Sequence, residues 1–258
     1  MSAKLRREEL KAFLDEKAAQ YNHPDFIASD PIQVPHLFSA KEDIEIAGFL
    51  TATIAWGNRK SIITNATQLM NLMGNTPYDF VMEYPGTTTF NRESFVHRTF
   101  NGTDLDVFIR GLQHLYKNYG GLETTFQEFA EPQSLQTAIH AFKKRFFEIP
   151  HPPRTLKHVS DPLKGSAAKR IHMFLRWMVR KDRNGVDLGI WTSLSPSQLS
   201  CPLDVHSGNV ARKLGLLKRK QNDAKAVEEL DKSLQKMDPD DPVKYDFALF
   251  GLGVFEKF

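Results

Sequence analysis

The stretch Gly165-Ser166-Ala167-Ala168-Lys169-Arg170 opens the strongest helical pattern in the chain. Glycine permits a tight turn and serine is a favoured N-cap, so we expect a turn at Gly165 and a helix capped by Ser166. The unpaired N–H groups in the first turn of such a helix bind anions well, and a DNA phosphate suits them. The pattern therefore predicts a helix over residues 165–181 with an anion-binding amino end.

This helix has two different sides. Lys169, Arg176 and Arg180 recur at helical spacing on one side, with Arg170 and His172 next to them. The other side carries the apolar residues Ile171, Phe174, Leu175 and Met178. We predict that the apolar side packs in the core and that the basic side contacts DNA. The alternative is a row of solvated arginines.

The rest of the chain reads as helices joined by turns. Helical periodicity extends over residues 4–20, 43–55, 61–73, 103–119, 122–129, 134–147, 205–217, 224–237 and 242–255. Because alternating strand patterns are absent, we predict an all-α fold of about ten helices. We expect one two-lobed unit over residues 1–258, with a middle lobe of about residues 50–160. We also expect the segment of about residues 160–217, which contains the predicted turn and helix, to pack against both termini.

Composition sets limits on partners and location. The net charge is only +3, but residues 154–183 contain nine Lys or Arg against two Asp. A concentrated basic segment predicts an anionic partner, nucleic acid first. A single cysteine excludes an internal disulfide scaffold. No apolar stretch has the length of a membrane span, and the spacing of the histidines excludes the usual metal motifs. We expect a monomeric cytoplasmic protein, nucleoid-associated in a bacterium, without metal or cofactor.

Lys169 and Asp204 form the candidate catalytic pair. A cation is disfavoured in the first turn of a helix, and a lysine must lose its proton before it attacks carbon, so this position suits Schiff-base chemistry. Asp204 follows Pro202 and opens the next helix. It either caps that helix only, or also stabilises positive charge and moves a proton. On the residues alone, Lys169 is either a nucleophile or a surface charge.

The pattern Gly-x-x-x-Lys followed by Pro-x-Asp-Val-His resembles the helix-hairpin-helix DNA glycosylases. It is most similar to the archaeal-type 8-oxoguanine DNA glycosylase/lyases, and it covers about residues 160–217. The resemblance implies that Gly165 is the hairpin glycine and that Lys169 attacks the sugar C1′ of a damaged nucleotide. It also implies that Asp204 assists, while Val205 and His206 continue the match.

Two departures from the family pattern leave the lesion and the nucleophile open. The hairpin reads Leu163-Lys164-Gly165-Ser166-Ala167, where the family usually has two glycines around a small apolar residue. Lys169 and Asp204 are also 35 positions apart, farther than in most of the family. Lys164 is therefore a competing nucleophile, and we favour Lys169 because its distance from the hairpin glycine matches.

A weaker resemblance extends to residues 47–73, where Trp56-Gly57-Asn58-Arg59 falls at the loop that the family wedges into DNA. It implies that Asn58 fills the gap left by an extruded base and that Arg59 approaches the orphan partner. A plain helix break is the alternative. Phe247 and Phe250 either pack in the core or, with Trp56, form the wall of a base pocket.

The resemblance implies a base-excision repair glycosylase with AP-lyase activity, which cleaves the strand at the abasic site. Its partner would be double-stranded DNA with a damaged base, an oxidised purine such as 8-oxoguanine. The implied DNA contacts include Lys164, Gly165, Ser166 and His206. Two other classes fit the residues. A non-catalytic module that recognises distorted DNA predicts salt-dependent binding without strand scission, and a helical scaffold for protein partners predicts no affinity for DNA.

Overall fold

The computed structural model describes residues 6–86 and 90–258, and most of these residues are helical, which confirms the all-α prediction. The α-helices are α1 (Arg7–Tyr21), α2 (Lys41–Thr53), α3 (Arg59–Leu72), α4 (Pro77–Glu83), α5 (Gly102–Tyr119), α6 (Leu122–Gln127), α7 (Gln136–Phe146), α8 (Lys169–Val179), α9 (Val205–Lys213), α10 (Ala224–Gln235) and α11 (Tyr245–Val254). A two-residue antiparallel pair joins β1 (Val96–His97) to β2 (Phe100–Asn101). None of the helices within the described ranges combines the length and apolar character that a membrane crossing requires.

The predicted helices correspond to α1–α3 and α5–α11, while short elements were missed. Residues 4 and 5 of the first predicted helix lie outside the described residues. The helix α4 and most of the short 3₁₀ segments escaped prediction because they span too few residues to show a periodic pattern, whereas Pro242–Lys244 lies within the predicted helix 242–255. These segments are Pro24–Ser29, Pro31–Gln33, Pro35–Leu37, Pro153–His158, Pro162–Lys164, Pro196–Gln198 and Pro242–Lys244. Each begins with proline, whose fixed φ suits the first helical position.

Helix α8 begins at Lys169, later than the pattern predicts. Gly165 has φ +88° and Ala168 has φ +45°, and a right-handed helix cannot continue through left-handed residues. The Oγ of Ser166 accepts a hydrogen bond from the N–H of Ala168 at 3.1 Å, inside the turn. The prediction that Ser166 caps the helix is therefore wrong, because Ala168 holds the N-cap position.

Most buried apolar side chains fall into two clusters, and just before α8 Ala168 belongs to the first cluster while Ala167 packs against the second. The first cluster contains the apolar residues of α2, α3, α5, α7 and α8, and the second contains those of α1, α9, α10 and α11. The predicted core side of α8 is confirmed, because Ile171, Phe174, Leu175 and Met178 are buried in the first cluster. The division into a middle lobe and a terminal lobe stays a prediction.

Candidate active site

A cavity of about 880 Å³ lies where the amino ends of α8 and α9 face α11 and the loop before α3. Both members of the predicted catalytic pair, Lys169 and Asp204, line it. Its wall also includes the predicted site residues Trp56, Arg59, Arg170, Arg176, His206, Phe247 and Phe250. The cavity is large enough for a small-molecule ligand or a single nucleotide. These predicted residues come from four separate parts of the sequence and share one concave surface.

Lys169 is the first residue of α8 and is half-buried. Its Nζ lies 3.2 Å from the Sδ of Met173, one turn further along the helix. Among the described residues, no carboxylate forms an ion pair with this amine. Desolvation raises the pKa of Asp30 and of Asp246, two buried carboxyl groups of the same cavity, and the charge of Lys169 opposes this change at longer range. The amine is thus exposed to the cavity without being fixed by a counterion.

Asp204 is the N-cap of α9, as the sequence predicts, and its carboxylate is held in place. Oδ1 accepts hydrogen bonds from the N–H of Ser207 at 2.9 Å and from its hydroxyl at 3.2 Å. The carbonyl oxygen of Asp204 accepts a bond from Nδ2 of Asn222 at 2.8 Å. Within the described residues Oδ2 makes no hydrogen bond, so one carboxylate oxygen serves the cap and the other is available to a ligand.

Two buried carboxyl groups of the cavity, Asp30 and Asp246, were missed by sequence reasoning. Desolvation raises the pKa of Asp30, and it raises the pKa of Asp246 to about 6 although the nearby Arg176 opposes the change. Oδ1 of Asp30 accepts a bond from the N–H of Ile32 at 3.1 Å. A signal for Asp246 was present, because it is the one charged residue in the otherwise apolar helix α11. Asp30 offered only a position before a proline.

Arginine–aromatic pairs form much of the cavity wall. The guanidinium carbon of Arg59 lies 5.1 Å from the ring centroid of Phe250, and that of Arg170 lies 4.7 Å from the ring centroid of Trp56. Arg176 makes a third pair, 4.4 Å from the ring of Phe247. Such contacts orient both partners and place positive charge beside flat apolar surfaces. The wall therefore offers stacking surfaces and cations together.

The cation of Arg170 has an unusual environment. One guanidinium N–H donates to the carbonyl oxygen of Thr53, and no carboxylate among the described residues forms an ion pair with it. Desolvation lowers the pKa of Arg170 to about 10. Buried charges in proteins are normally paired, so an anionic group that entered the cavity would find an unneutralised partner here.

The prediction of a DNA-facing basic side on α8 is wrong for Arg176, Arg180 and His172. Arg176 is only 5% exposed and Arg180 only 3%, because both are held in ion pairs inside the protein. Their carboxylate partners are Asp182, Asp187, Asp241 and Asp246. His172 is buried as well, and desolvation lowers its pKa to about 4. Arg176 still contributes to the cavity wall, whereas Arg180 and His172 do not line it.

The hairpin residues Lys164, Gly165 and Ser166 lie outside the cavity lining, at the surface before α8. The expectation that the amides of Gly165 and Ser166 bind a phosphate is corrected. They already donate to the carbonyl oxygens of Pro162 at 2.9 Å and of Asp161 at 3.3 Å. Within the described residues, the amides of Lys169 and Arg170 donate to no acceptor. The unpaired amides at the amino end of the helix therefore belong to Lys169 and Arg170, later in the chain than the sequence suggests.

The loop before α3 places Arg59 and Asn58 differently. Arg59 lines the cavity, whereas Asn58 is exposed and lies outside the lining. The Oδ1 of Asn58 accepts a hydrogen bond from the N–H of Ser61 at 3.2 Å and caps α3. Gly57 turns the chain with φ +105°. The loop thus ends one helix and starts the next, and the insertion of Asn58 into DNA stays a prediction.

Comparison with known proteins identifies a family. None of the curated proteins and none of the solved structures matches the chain. In the part of the chain that the structure describes, no group of three or more His, Cys, Asp or Glu side chains is arranged to hold a metal ion. Residues 30–255 match the family described as "Protein of unknown function (DUF2400)", and this region includes every residue of the cavity wall except Phe26. Because the match covers most of its length, the chain belongs to the DUF2400 family.

Proposed function

We propose that this protein is a base-excision DNA glycosylase with AP-lyase activity and that Lys169 is its nucleophile. One observation carries the proposal. A lysine without an ion-pair partner among the described residues, at the start of α8, shares a cavity with a carboxylate fixed at the start of α9. An amine and a carboxylate in this relationship are the groups that a glycosylase needs for covalent attack at a sugar carbon.

The chemistry balances with these two groups. The neutral amine of Lys169 forms a bond to C1′ while the bond between C1′ and the base breaks, and the base leaves with the electron pair. The carboxylate of Asp204 stabilises the positive charge that develops at C1′, takes the proton that the attached amine loses, and passes this proton to the departing base. The nitrogen lone pair then forms the C1′=N bond while the C1′–O4′ bond breaks and O4′ takes a proton from water, which opens the sugar ring and gives a protonated Schiff base. Loss of a C2′ proton then breaks the C3′–O bond, and water releases the lysine.

The rest of the cavity fits an extruded nucleotide. Trp56 and Phe250 are partly exposed and offer ring surfaces for a base, whereas Phe247 is buried beneath Arg176 and only backs the wall. An oxidised purine is the substrate class that we propose. The free amide of Arg170, together with its guanidinium, suits a phosphate near the reacting sugar. In this proposal Lys164, His206, Asn58 and Arg59 contact the surrounding duplex.

Borohydride trapping tests the nucleophile. Borohydride reduces a Schiff base to a stable amine, so an attacking lysine becomes permanently linked to DNA. We expect adducts on duplexes that contain 8-oxoguanine or an abasic site and none on undamaged duplex. Lys169→Gln should abolish the adduct and keep DNA binding. Lys164→Gln, which removes the same charge five residues away, should keep the adduct, and peptide mapping should locate it at Lys169.

The outcomes separate the candidate classes. An adduct that persists in Lys169→Gln and disappears in Lys164→Gln would move the nucleophile to the hairpin. Salt-dependent binding without any adduct or strand scission, in folded protein, would overturn the enzyme proposal and favour a DNA-binding module. No affinity for DNA at low salt would overturn both the enzyme and the DNA-binding module.

A further inference from the structure

A second concave surface lies between the end of α9 and the start of α10. It is an open groove of about 510 Å³ lined by Lys218, Arg219, Lys220, Gln221, Lys225 and Glu229. We name it the 218–225 groove. Four of its lining side chains are cationic and one is a carboxylate. None of these residues takes part in the cavity or in the chemistry proposed above.

The carboxylate of Glu229 is occupied by the groove's own backbone. Oε1 accepts the N–H of Lys218 at 2.7 Å, and Oε2 accepts the N–H of Arg219 at 3.3 Å. From the other side, Nε of Arg212 donates to the carbonyl oxygen of Arg219 at 2.7 Å. The loop is therefore held in one shape, and the acidic side chain of the groove is used to hold it.

The lysines of the groove are not neutralised. Lys218, Lys220 and Lys225 are exposed, and in the described part of the chain none of them forms an ion pair. Arg219, by contrast, is paired with Asp223 and also donates to Gln221. Three unpaired ammonium groups on a preformed concave surface create a positive potential that favours an extended anion over a small one.

The groove is physically joined to the candidate active site. Ser166 and Asp223 form a backbone bridge, and the N–H of Ala224 donates to the carbonyl oxygen of Gly165 at 3.1 Å. Asn222, next to the bridge, lines the 880 Å³ cavity and binds the backbone of Asp204. The hairpin with the exposed Lys164 and the loop of the groove are therefore backbone neighbours beside the cavity.

We propose that the 218–225 groove binds the sugar-phosphate backbone of the duplex whose damaged base enters the cavity. The choice of DNA as partner rests on the proposed function, while the anionic, extended character of the partner rests on the three unpaired lysines. Phosphate contacts position a protein on DNA without reading its sequence. The groove would hold the strand beside the lesion while the cavity receives the extruded nucleotide.

The salt dependence of DNA binding tests this inference. The triple variant Lys218→Gln/Lys220→Gln/Lys225→Gln should bind undamaged duplex more weakly. The slope of log K against log salt should become shallower by about 0.9 for each phosphate that the variant no longer neutralises. The matched control Lys117→Gln/Lys144→Gln/Lys236→Gln removes three other exposed lysines and the same charge. We expect the control to keep most of the wild-type slope.

Equal slopes for the groove variant and the control would overturn the inference. Borohydride trapping at low salt keeps this result separate from the proposed function. If the groove variant still forms the Lys169 adduct at low salt, a shallower slope supports the groove as a binding surface that is separate from the chemistry. A different outcome is that the wild-type protein forms no adduct, while the groove variant has a shallower salt slope than the control. The catalytic proposal then fails and the groove proposal stands.

Discussion

The guanidinium of Arg170 stacks on the indole of Trp56, with 4.7 Å between the guanidinium carbon and the ring centroid, and no carboxylate of the described residues neutralises it. Further along the same helix, Arg176 lies between Asp187 and Asp246. Burial alone would lower the pKa of Arg176, but these two carboxylates raise it. Helix α8 thus carries one arginine, Arg176, that is neutralised by ion pairs, and another, Arg170, that has no ion-pair partner among the described residues.

Replacement of each arginine by methionine should separate these roles. Arg170→Met removes a buried unpaired charge, so we expect the free energy of unfolding to change by less than about 1 kcal/mol while DNA binding weakens. Arg176→Met leaves the buried carboxylate of Asp246 without its ion-pair partner and removes one of the two arginines that pair with Asp187, so it should cost roughly 3–5 kcal/mol. Urea denaturation measures both values. A destabilisation by Arg170→Met as large as that by Arg176→Met would show that Arg170 is structural.

Asp204 can be tested for chemistry separately from its role as a cap. Asn is as good an N-cap as Asp, so Asp204→Asn should keep the free energy of unfolding within about 0.5 kcal/mol, whereas Asp204→Ala should lower it by about 1 kcal/mol. Both variants lack the carboxylate, and general acid–base or electrostatic assistance is worth about 100-fold or more in rate. We expect single-turnover base release to fall by that factor in both. Full activity in Asp204→Asn would reduce this residue to a cap.

Ala168 is expected to limit stability, since it has φ +45° immediately before Lys169. The left-handed conformation costs an L-residue with a side chain about 1–2 kcal/mol, and glycine avoids this cost but loses more chain entropy. Ala168→Gly should therefore raise the free energy of unfolding by roughly 0.5–1 kcal/mol. Ala168→Val should lower it because a β-branched side chain fits this conformation poorly. Thermal melting measures both, and a destabilised Ala168→Gly would contradict the argument.

Glu45 should make stability depend on pH. Burial raises its pKa to about 7 from an ordinary 4.5, although the hydroxyl of Tyr116 and the indole N–H of Trp191 each donate to its carboxylate at 2.6 Å. A raised pKa means that the stabilising contribution is complete below about pH 4.5 and is lost as the pH rises to about 7. Relative to Glu45→Gln, the wild-type free energy of unfolding should fall by roughly 2–3 kcal/mol across this window.

A second glutamate provides the control for that measurement. Burial alone would raise the pKa of Glu123, but hydrogen bonds from Lys41 and Ser193 lower it. The contribution of Glu123 to stability is therefore present above its ordinary pKa and is lost as the pH falls through the lowered pKa. Relative to Glu123→Gln, the wild-type free energy of unfolding should fall as the pH falls, which is the opposite of the result expected for Glu45. Unfolding curves for both variants at several pH values measure this. A pH-independent difference for Glu45→Gln would contradict the assignment.

Sequence reasoning found the parts of the fold that long periodic patterns encode. It also found the turn at Gly165 and the helix cap at Asp204, because glycine and aspartate are typical turn and cap residues. It missed the late start of α8, since alanine gives no sign of the left-handed conformation that Ala168 adopts. It also placed Arg176 and Arg180 on the surface. Their partners Asp187, Asp241 and Asp246 come from other segments, and no local pattern shows such pairing.

The two apolar clusters have a consequence for the proposed chemistry. Lys169 extends from a helix whose core side belongs to the first cluster, and Asp204 caps a helix that belongs to the second. Neither cluster contains a complete site by itself. Catalytic competence would then require the two clusters to be docked, so a small rotation between them would separate nucleophile from carboxylate without unfolding a single helix.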